Sequence, residues 1–138
     1  MLLQLDLSDN QLCGIDSSGK GTYTAEGITA IADALRVNGT LTVANLLGNQ
    51  LDVKSAKMLA EVAKQKGISL CGIHRDQTTA DFKGLEPPDA ILLASDLSQA
   101  VVTGALTNLR VFGNRIGAAG ERAVRDAVKD RSGFELDL

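Results

Sequence analysis

Three stretches of the sequence share one pattern of aliphatic residues and asparagine. Residues 2–12 read LLQLDLSDNQL, residues 41–51 read LTVANLLGNQL and residues 106–116 read LTNLRVFGNRI. Aliphatic residues occupy the first, fourth, sixth and last positions of each stretch, and an asparagine stands third from the end. A single polar residue between the two middle aliphatic residues predicts a three-residue β-strand with one side buried.

Helical patterns lie between and after these stretches. Apolar residues recur at i, i+3, i+4 and i+7 in four segments, which is the spacing of one helix face. A glycine follows each segment, and glycine is favoured just past the end of a helix. We predict helices at residues 24–37, 53–66, 88–99 and 118–131. The predicted strands are Leu5-Asp6-Leu7, Ala44-Asn45-Leu46, Ala80-Asp81-Phe82, Leu109-Arg110-Val111 and Leu136-Asp137-Leu138.

The alternation of strand and helix predicts the fold class. A strand, a loop, a helix and a return, repeated at a nearly fixed distance, predict an α/β fold of the right-handed βα solenoid type. Parallel strands would form a sheet on the concave face, and the wider helices would cover the convex face. Residues 1–138 would then form a single domain of about four repeats plus the start of a fifth.

The pattern LxxLxLxxNxL resembles that of leucine-rich repeats. The first stretch matches it at every position, the last with aliphatic exchanges and the middle one with a single alanine. The third unit is degenerate, because Ala80, Phe82 and Leu85 fit but no asparagine follows. A full helix in each unit makes the chain similar to the ribonuclease-inhibitor type of repeat, which also occurs in cytosolic immune receptors.

This resemblance implies roles for the asparagines and for the whole chain. In the family, the asparagine side chain hydrogen-bonds to the backbone where the strand bends into the loop, so Asn10, Asn49 and Asn114 are expected to do the same. The family's roles include enzyme inhibition, scaffolding and ligand sensing. The resemblance therefore implies a non-catalytic module that binds another protein.

Composition and charge argue against several other classes of protein. The chain of 138 residues is 44% hydrophobic and 22% charged, as expected of a globular domain. Its net charge of −3 argues against a nucleic-acid partner. The sequence contains neither a long apolar run that would span a membrane nor a signal-peptide pattern, so no membrane association is expected. Two cysteines are too few for a disulfide scaffold, which favours a cytoplasmic location.

The outward residues of the predicted strands form the candidate binding surface. One row contains Asp6, Asn45, Asp81, Arg110 and Asp137, and the next contains Ser8, Leu47, Lys83 and Phe112. Exposed apolar residues among charges are typical of a protein-binding surface, although single exposed apolar residues need no functional explanation. We expect Asp81 and Arg110 to be neighbours able to pair. The predicted partner-binding residues are Asp6, Asn45, Leu47, Asp81, Lys83, Arg110 and Phe112.

An insertion at residues 13–24 contains the main alternative motif. Its residues Gly14 to Thr22 nearly fit the phosphate-loop pattern GxxxxGK[ST] and resemble the loop of nucleoside-monophosphate kinases. However, Gly21 stands where the magnesium-binding hydroxyl belongs, and the loop does not join a buried strand directly to a helix. Nucleotide binding is therefore the lesser alternative, and a tolerated surface loop is the simpler interpretation.

Other features provide no evidence of catalysis. Cys71 and His74 lie close together in sequence, but catalytic pairs are normally brought together by the fold. With Cys13 they would supply at most three zinc ligands, one short of the usual four. We therefore expect no enzymatic activity, no catalytic residues, no bound metal and no cofactor.

The two ends of the array carry no recognisable capping repeat. The chain stops at Leu138, partway through the fifth predicted strand. Uncovered edge strands promote association. The alternatives are therefore self-association through the uncapped ends, or an accessory segment of a larger repeat protein with no ligand of its own.

Overall fold

The computed structural model describes residues 3–16, 18–111 and 114–138. The strands are β1 (Gln4–Asp6), β2 (Val43–Asn45), β3 (Thr79–Asp81), β4 (Asn108–Arg110) and β5 (Glu135–Asp137). The helices are α1 (Glu26–Val37), α2 (Val53–Lys66), α3 (Pro87–Leu97), α4 (Ala100–Thr103) and α5 (Gly117–Val128). Each predicted strand is confirmed within one residue and each predicted helix within three, whereas the short helix α4 was not predicted.

The strands form two separate parallel sheets, so the predicted solenoid with one continuous concave sheet is wrong. Strand β1 pairs with β2, and β3, β4 and β5 form a three-stranded sheet in that order. Within the described residues, no ladder joins β2 to β3. The protein is instead a mixed α/β fold with five helices and two small parallel sheets, without a horseshoe of repeated βα units.

The chain between α2 and β3 accounts for this break. After the left-handed Gly67 ends α2, the backbone of Ser69 forms a single parallel bridge to Val43 of β2. The amides of Ala44 and Leu46 donate to the carbonyls of Ser69 and Leu70 at 2.8 and 3.0 Å. This short segment therefore occupies the edge of β2 where β3 was expected. No helix separates the segment from β3, so the regular alternation is interrupted here.

The core lies between the helices and the inner sides of the strands. Helix α3 packs against both α2 and α5, and α1 packs against α2. Ala80 and Leu109 are buried in the middle of their strands, whereas Asp81 and Arg110 are exposed. Burying each large aliphatic side chain contributes roughly 1.5–3 kcal/mol. Because side chains alternate along a strand, burial of the apolar ones leaves the intervening polar side chains exposed and available to a partner.

Asn49 joins β2's loop to the loop that follows β1. Its side chain is completely buried. The Oδ1 atom accepts the amides of Asn10 and Leu12 at 3.0 and 3.2 Å, and Nδ2 donates to the carbonyl of Leu7 at 2.9 Å. Buried backbone groups need hydrogen-bond partners. Beyond the end of β1, where the ladder of the sheet stops, the Asn49 side chain supplies these partners. The predicted role of this asparagine is confirmed.

Asn114 joins two loops of the other sheet in the same way, whereas Asn10 forms the predicted bond to the backbone only within its own loop. The Oδ1 atom of Asn114 accepts the Leu85 amide at 2.6 Å, and its Nδ2 donates to the Phe82 carbonyl at 2.8 Å. Asn10 is exposed, and its amide donates to the Ser8 carbonyl of its own loop at 3.0 Å. The asparagine is therefore a link between neighbouring units only at the second and fourth predicted strands.

Arg131 fixes the chain immediately before β5. Its guanidinium donates to the carbonyls of Leu97 and Thr103, at 2.7 Å in each case, and lies 5.4 Å from the centroid of the Phe134 ring. The donors of an arginine fork satisfy carbonyls at the ends of helices α3 and α4. These contacts hold the turn that leads into β5 and so position the outward residues of that strand.

Candidate functional site

The three-stranded sheet exposes a set of charged and amide side chains that we call the acidic strand face. The register places Asp81 opposite Arg110, and Arg110 opposite Asp137. Residues two positions earlier in each strand point to the same side, because side chains alternate along a strand. Members of the face are Thr79, Asp81, Asn108, Arg110, Glu135 and Asp137, all of them exposed or half-exposed.

Arg110 lies at the centre of this face, between two aspartates. Its Nε atom is 3.7 Å from Oδ2 of Asp137, and the two side chains are 60% and 56% exposed. Asp81 is its register neighbour on the other side, as predicted, but the ion pair that Arg110 forms among the described residues is with Asp137. An exposed pair of this length contributes little to stability. The guanidinium therefore remains available to an external group.

The charge of the acidic strand face is predominantly negative. Three carboxylates, those of Asp81, Glu135 and Asp137, accompany one guanidinium, so the formal net charge of the face is −2. Asn108 Nδ2 donates to Oε2 of Glu135 at 2.9 Å and holds that carboxylate in place. A rigid surface with this excess of carboxylates attracts basic groups.

The two-stranded sheet carries the other strand residues predicted to bind a partner. Asp6 is exposed, and its Oδ1 accepts the amide and the hydroxyl of Ser8 at 3.0 and 2.6 Å. The hydroxyl bond and then the amide bond lower the pKa of Asp6. Asn45 is half-buried, and its Oδ1 accepts the Leu47 amide at 3.2 Å. Both side chains therefore bond within the turn that follows their own strand.

The remaining predicted residues do not extend the acidic strand face. Leu47 is only 9% exposed and belongs to the core, so the prediction of an exposed leucine there is wrong. Strand β2 ends at Asn45, so the alternation that assigned Leu47 to the outer side does not extend to this residue. Lys83 is exposed beyond the end of β3, and Phe112 lies outside the described residues.

His74 reaches the face of the two-stranded sheet, which the sequence analysis missed. Its Nδ1 lies 2.8 Å from Nε2 of Gln4, and both residues line a shallow pocket of about 300 Å³ together with Asp6 and Asn45. Gly72 makes the approach possible, because a Cβ at that position would lie 2.9 Å from Nδ2 of Asn45. The only available signal was that His74 is the sole histidine in the chain.

The loop from Gly14 to Thr22 is a closed turn stabilised from inside. Oδ1 of Asp16 accepts the amides of Ser18 and Lys20, each at 2.9 Å, and the Ser18 hydroxyl at 2.6 Å. These bonds lower the pKa of Asp16, the hydroxyl bond most strongly. A phosphate would need such amides for itself, and α1 begins only at Glu26. The arrangement gives the nucleotide alternative no support.

The two cysteines are buried, free thiols. Cys13 is completely buried and Cys71 is 3% exposed. Burial raises the pKa of both thiols, and it raises that of Cys71 well above the ordinary value. Since the thiolate is the reactive form, neither environment favours nucleophilic chemistry. His74 is exposed, so the fold does not combine it with a reactive thiol.

Asp96 is a buried carboxylate that holds the segment beside β2. Its Oδ2 accepts the Ser69 hydroxyl at 2.6 Å, and its Oδ1 accepts the Leu70 amide at 2.8 Å. The Cys71 amide donates to Oδ2 at 3.2 Å. Burial raises the pKa of Asp96 to about 6, although these donors oppose the rise. The carboxylate therefore serves as the anchor between α3 and the interrupting segment.

The described residues contain neither a metal-binding group nor a membrane-spanning helix, and the sequence has no match among known families. In the part of the chain that the structure describes, no three or more histidine, cysteine, aspartate or glutamate side chains are grouped so that they would hold a metal ion. No helix among those residues is sufficiently long and apolar to cross a membrane. No family model and no curated protein matches the sequence.

Proposed function

We propose that the protein is a non-catalytic module that binds a basic segment of a protein partner through the acidic strand face. The observation that supports this most directly is the row Asp81, Arg110 and Asp137, which lies across three paired strands. Paired strands are about 4.8 Å apart, so the charged groups are presented at a fixed spacing. Such a row selects a partner by charge pattern and requires no chemistry.

The polarity of the face indicates which partner chemistry fits. The excess of carboxylates attracts lysine and arginine side chains and raises the rate of encounter. Arg110 is the kind of residue that often dominates binding energy when a partner covers it. Its 3.7 Å contact with Asp137 is loose enough to be exchanged for a carboxylate of the partner. The expected ligand is therefore a basic segment that carries one acidic residue.

A cytoplasmic location accompanies this proposal. Both cysteines are free thiols in the interior, where they pack as small apolar side chains. A reducing compartment keeps such thiols in this state.

Edge pairing is a second candidate function, favoured by a separate observation. Within the described residues, β1 pairs only with β2, and β5 pairs only with β4. Each therefore presents one side of its backbone for pairing with another strand, which is an association hazard unless it is covered. In this case the chain would act through assembly, either with itself or as an accessory segment of a larger protein.

A selection experiment with charge-reversed variants tests the primary proposal. A displayed library of random peptides is selected against the protein, and the affinities of selected peptides are measured by fluorescence anisotropy. Lysine- and arginine-rich peptides that carry one acidic residue are expected. Asp81→Lys should reduce their affinity about tenfold because it repels the basic residues, and Arg110→Glu should do so because it repels the acidic residue. Glu121→Lys, an exposed reversal on α5, is the matched control and should leave affinity unchanged.

Two results would refute binding through this face. One is that selected peptides show no excess of basic residues. The other is that the two strand variants bind as tightly as the control. Sedimentation of the unmodified protein separates the second candidate, because edge pairing predicts a mass that rises with concentration even when peptide binding is lost.

A further inference from the structure

The helical layer contains a groove that the proposed function does not use. Helix α3 forms the floor between α2 and α5, and the groove has a volume of about 540 Å³. Its surface is largely built from small or aliphatic side chains, and the alanines allow close approach of another element. These residues are Ala60, Ile91, Ala94, Ala123 and Ala127.

Charges on the two walls differ and define the orientation of an occupant. The α2 wall carries Lys57, Glu61 and Lys64, while the α5 wall carries Asp126. None of these side chains forms an ion pair with another described residue. The α2 wall has a net formal charge of +1 and the α5 wall of −1. An occupant with one acidic and one basic edge matches both walls at once.

The length of the groove matches two turns of a helix. Lys57 and Lys64 are seven residues apart on α2, which corresponds to about 10 Å along the axis. A helix of that length presents apolar side chains at i, i+3 or i+4 and i+7, the spacing used in helix-in-groove recognition. A second copy that placed its own groove here would oppose two concave surfaces and leave a void between them.

We propose that this groove binds an amphipathic helix of a protein partner. The apolar stripe of the helix packs on the alanine floor. Carboxylates on one edge face Lys57 and Lys64, and a basic side chain on the other edge faces Asp126. This surface lies on the helices and is independent of the acidic strand face.

A library of helix-forming peptides tests the proposal. Two turns carry leucine at i, i+4 and i+7, and the flanking positions and one central position are randomised. Selected peptides are expected to carry acidic residues on one edge, and the double variant K57E/K64E is expected to lower their affinity about tenfold. Asp81→Lys on the strand face is the matched control and should have no effect, which distinguishes this proposal from the previous one.

Ala94→Trp supplies a second readout, because an indole in the groove would exclude the apolar stripe of the helix and should lower peptide affinity at least about tenfold. A failure to select helical peptides would overturn the assignment. Binding that is unaffected by both K57E/K64E and Ala94→Trp would overturn it as well. A dimer that Ala94→Trp dissociates would replace the helix with a second copy and refute the proposal as well.

Discussion

The two sheets show how similar strands can present different surfaces. In the two-stranded sheet, Asp6 and Asn45 bond within their own turns, and the segment around Gly72 and His74 crosses beside them. In the three-stranded sheet, the side chains of Asp81 and Arg110 project from continuous ladders, and no segment among the described residues crosses beside them in this way. The difference teaches that the strand pattern alone does not create a binding face. The chain segment that follows the helix after a strand decides whether the outer face of that strand remains exposed. After α2, the segment around Gly72 and His74 covers part of the two-stranded sheet.

Asp96→Ala breaks the anchor that separates the two sheets, and it has the largest expected effect. Three donors, from Ser69, Leu70 and Cys71, would lose their buried acceptor. We expect the unfolding free energy to fall by about 4 kcal/mol. Urea denaturation measures this loss. Asp81→Ala, which removes an exposed carboxylate, is the control and should change the free energy by less than about 0.5 kcal/mol.

Hydrogen exchange of the same variant locates the damage. The amides of Ala44 and Leu46 bond to the segment that Asp96 anchors, so their protection should decrease first. The amides of Phe82 and Val111 bond within the three-stranded sheet and should stay protected. Equal loss in both sheets would show that the two regions unfold as one unit and would remove the distinction between them.

The pH dependence of stability also tests the difference between the two sheets, because the buried Asp96 anchors the segment that separates them. Its pKa is raised by burial from 3.8 to about 6, so the native state binds this proton more tightly than the unfolded state. The associated stability is present below about pH 4 and is lost as the pH rises through about 6. The gap between the two pKa values corresponds to about 3 kcal/mol.

Urea denaturation between pH 4 and pH 8 checks this sign. Wild-type protein should show the loss across that window, and Asp96→Asn should remove it, because the amide does not titrate. Bonds to serine and backbone groups lower the pKa values of Asp6, Asp16 and Asp52. These three residues therefore act in the opposite sense and lose their contribution to stability as the pH falls below about 4. An unchanged slope in Asp96→Asn would contradict the assignment to Asp96.

Alanine substitution at two glycines has the smallest expected effect on stability, and the two glycines are closely matched in backbone conformation. Gly72 and Gly84 both adopt left-handed backbone conformations, with φ of 78° and 71°. A Cβ on Gly72 would lie 2.9 Å from Asn45, whereas nothing lies within 4 Å of one on Gly84. We expect Gly72→Ala to cost about 2 kcal/mol and Gly84→Ala about 1 kcal/mol. Equal values from thermal denaturation would show that the close crossing beside β2 is unimportant.

Much of the local structure was predictable from the sequence, but its assembly was not. Helical periodicity located α2 at its observed bounds, and period two located each strand within one residue. The segment Ile68-Ser69-Leu70-Cys71 has the same alternation, but no helix follows it and the repeat pattern passes over it. Its pairing with β2 depends on a carboxylate 26 residues away from Leu70, which local periodicity does not report.

The candidate surfaces were predictable to different degrees. Asp81 and Arg110 followed from strand alternation, because the residues on either side of them are apolar. The prediction for Leu47 failed because β2 ends at Asn45, so strand alternation no longer applies at Leu47, which is buried. The helix groove was missed because alanine at helical spacing indicates a core face, and only the packing of α3 between its neighbours shows that part of that face remains uncovered.

The loop of residues 72–78, which lies between the two sheets, belongs to neither β-ladder. Residues 72–78 contain no helix or strand, and Arg75 and Asp76 within them are exposed. Extra residues spliced at this point would lengthen a loop without shifting either ladder. The molecule thus contains a permissive site for a fluorescent reporter, from which occupancy of either surface would be read without altering the residues that form it.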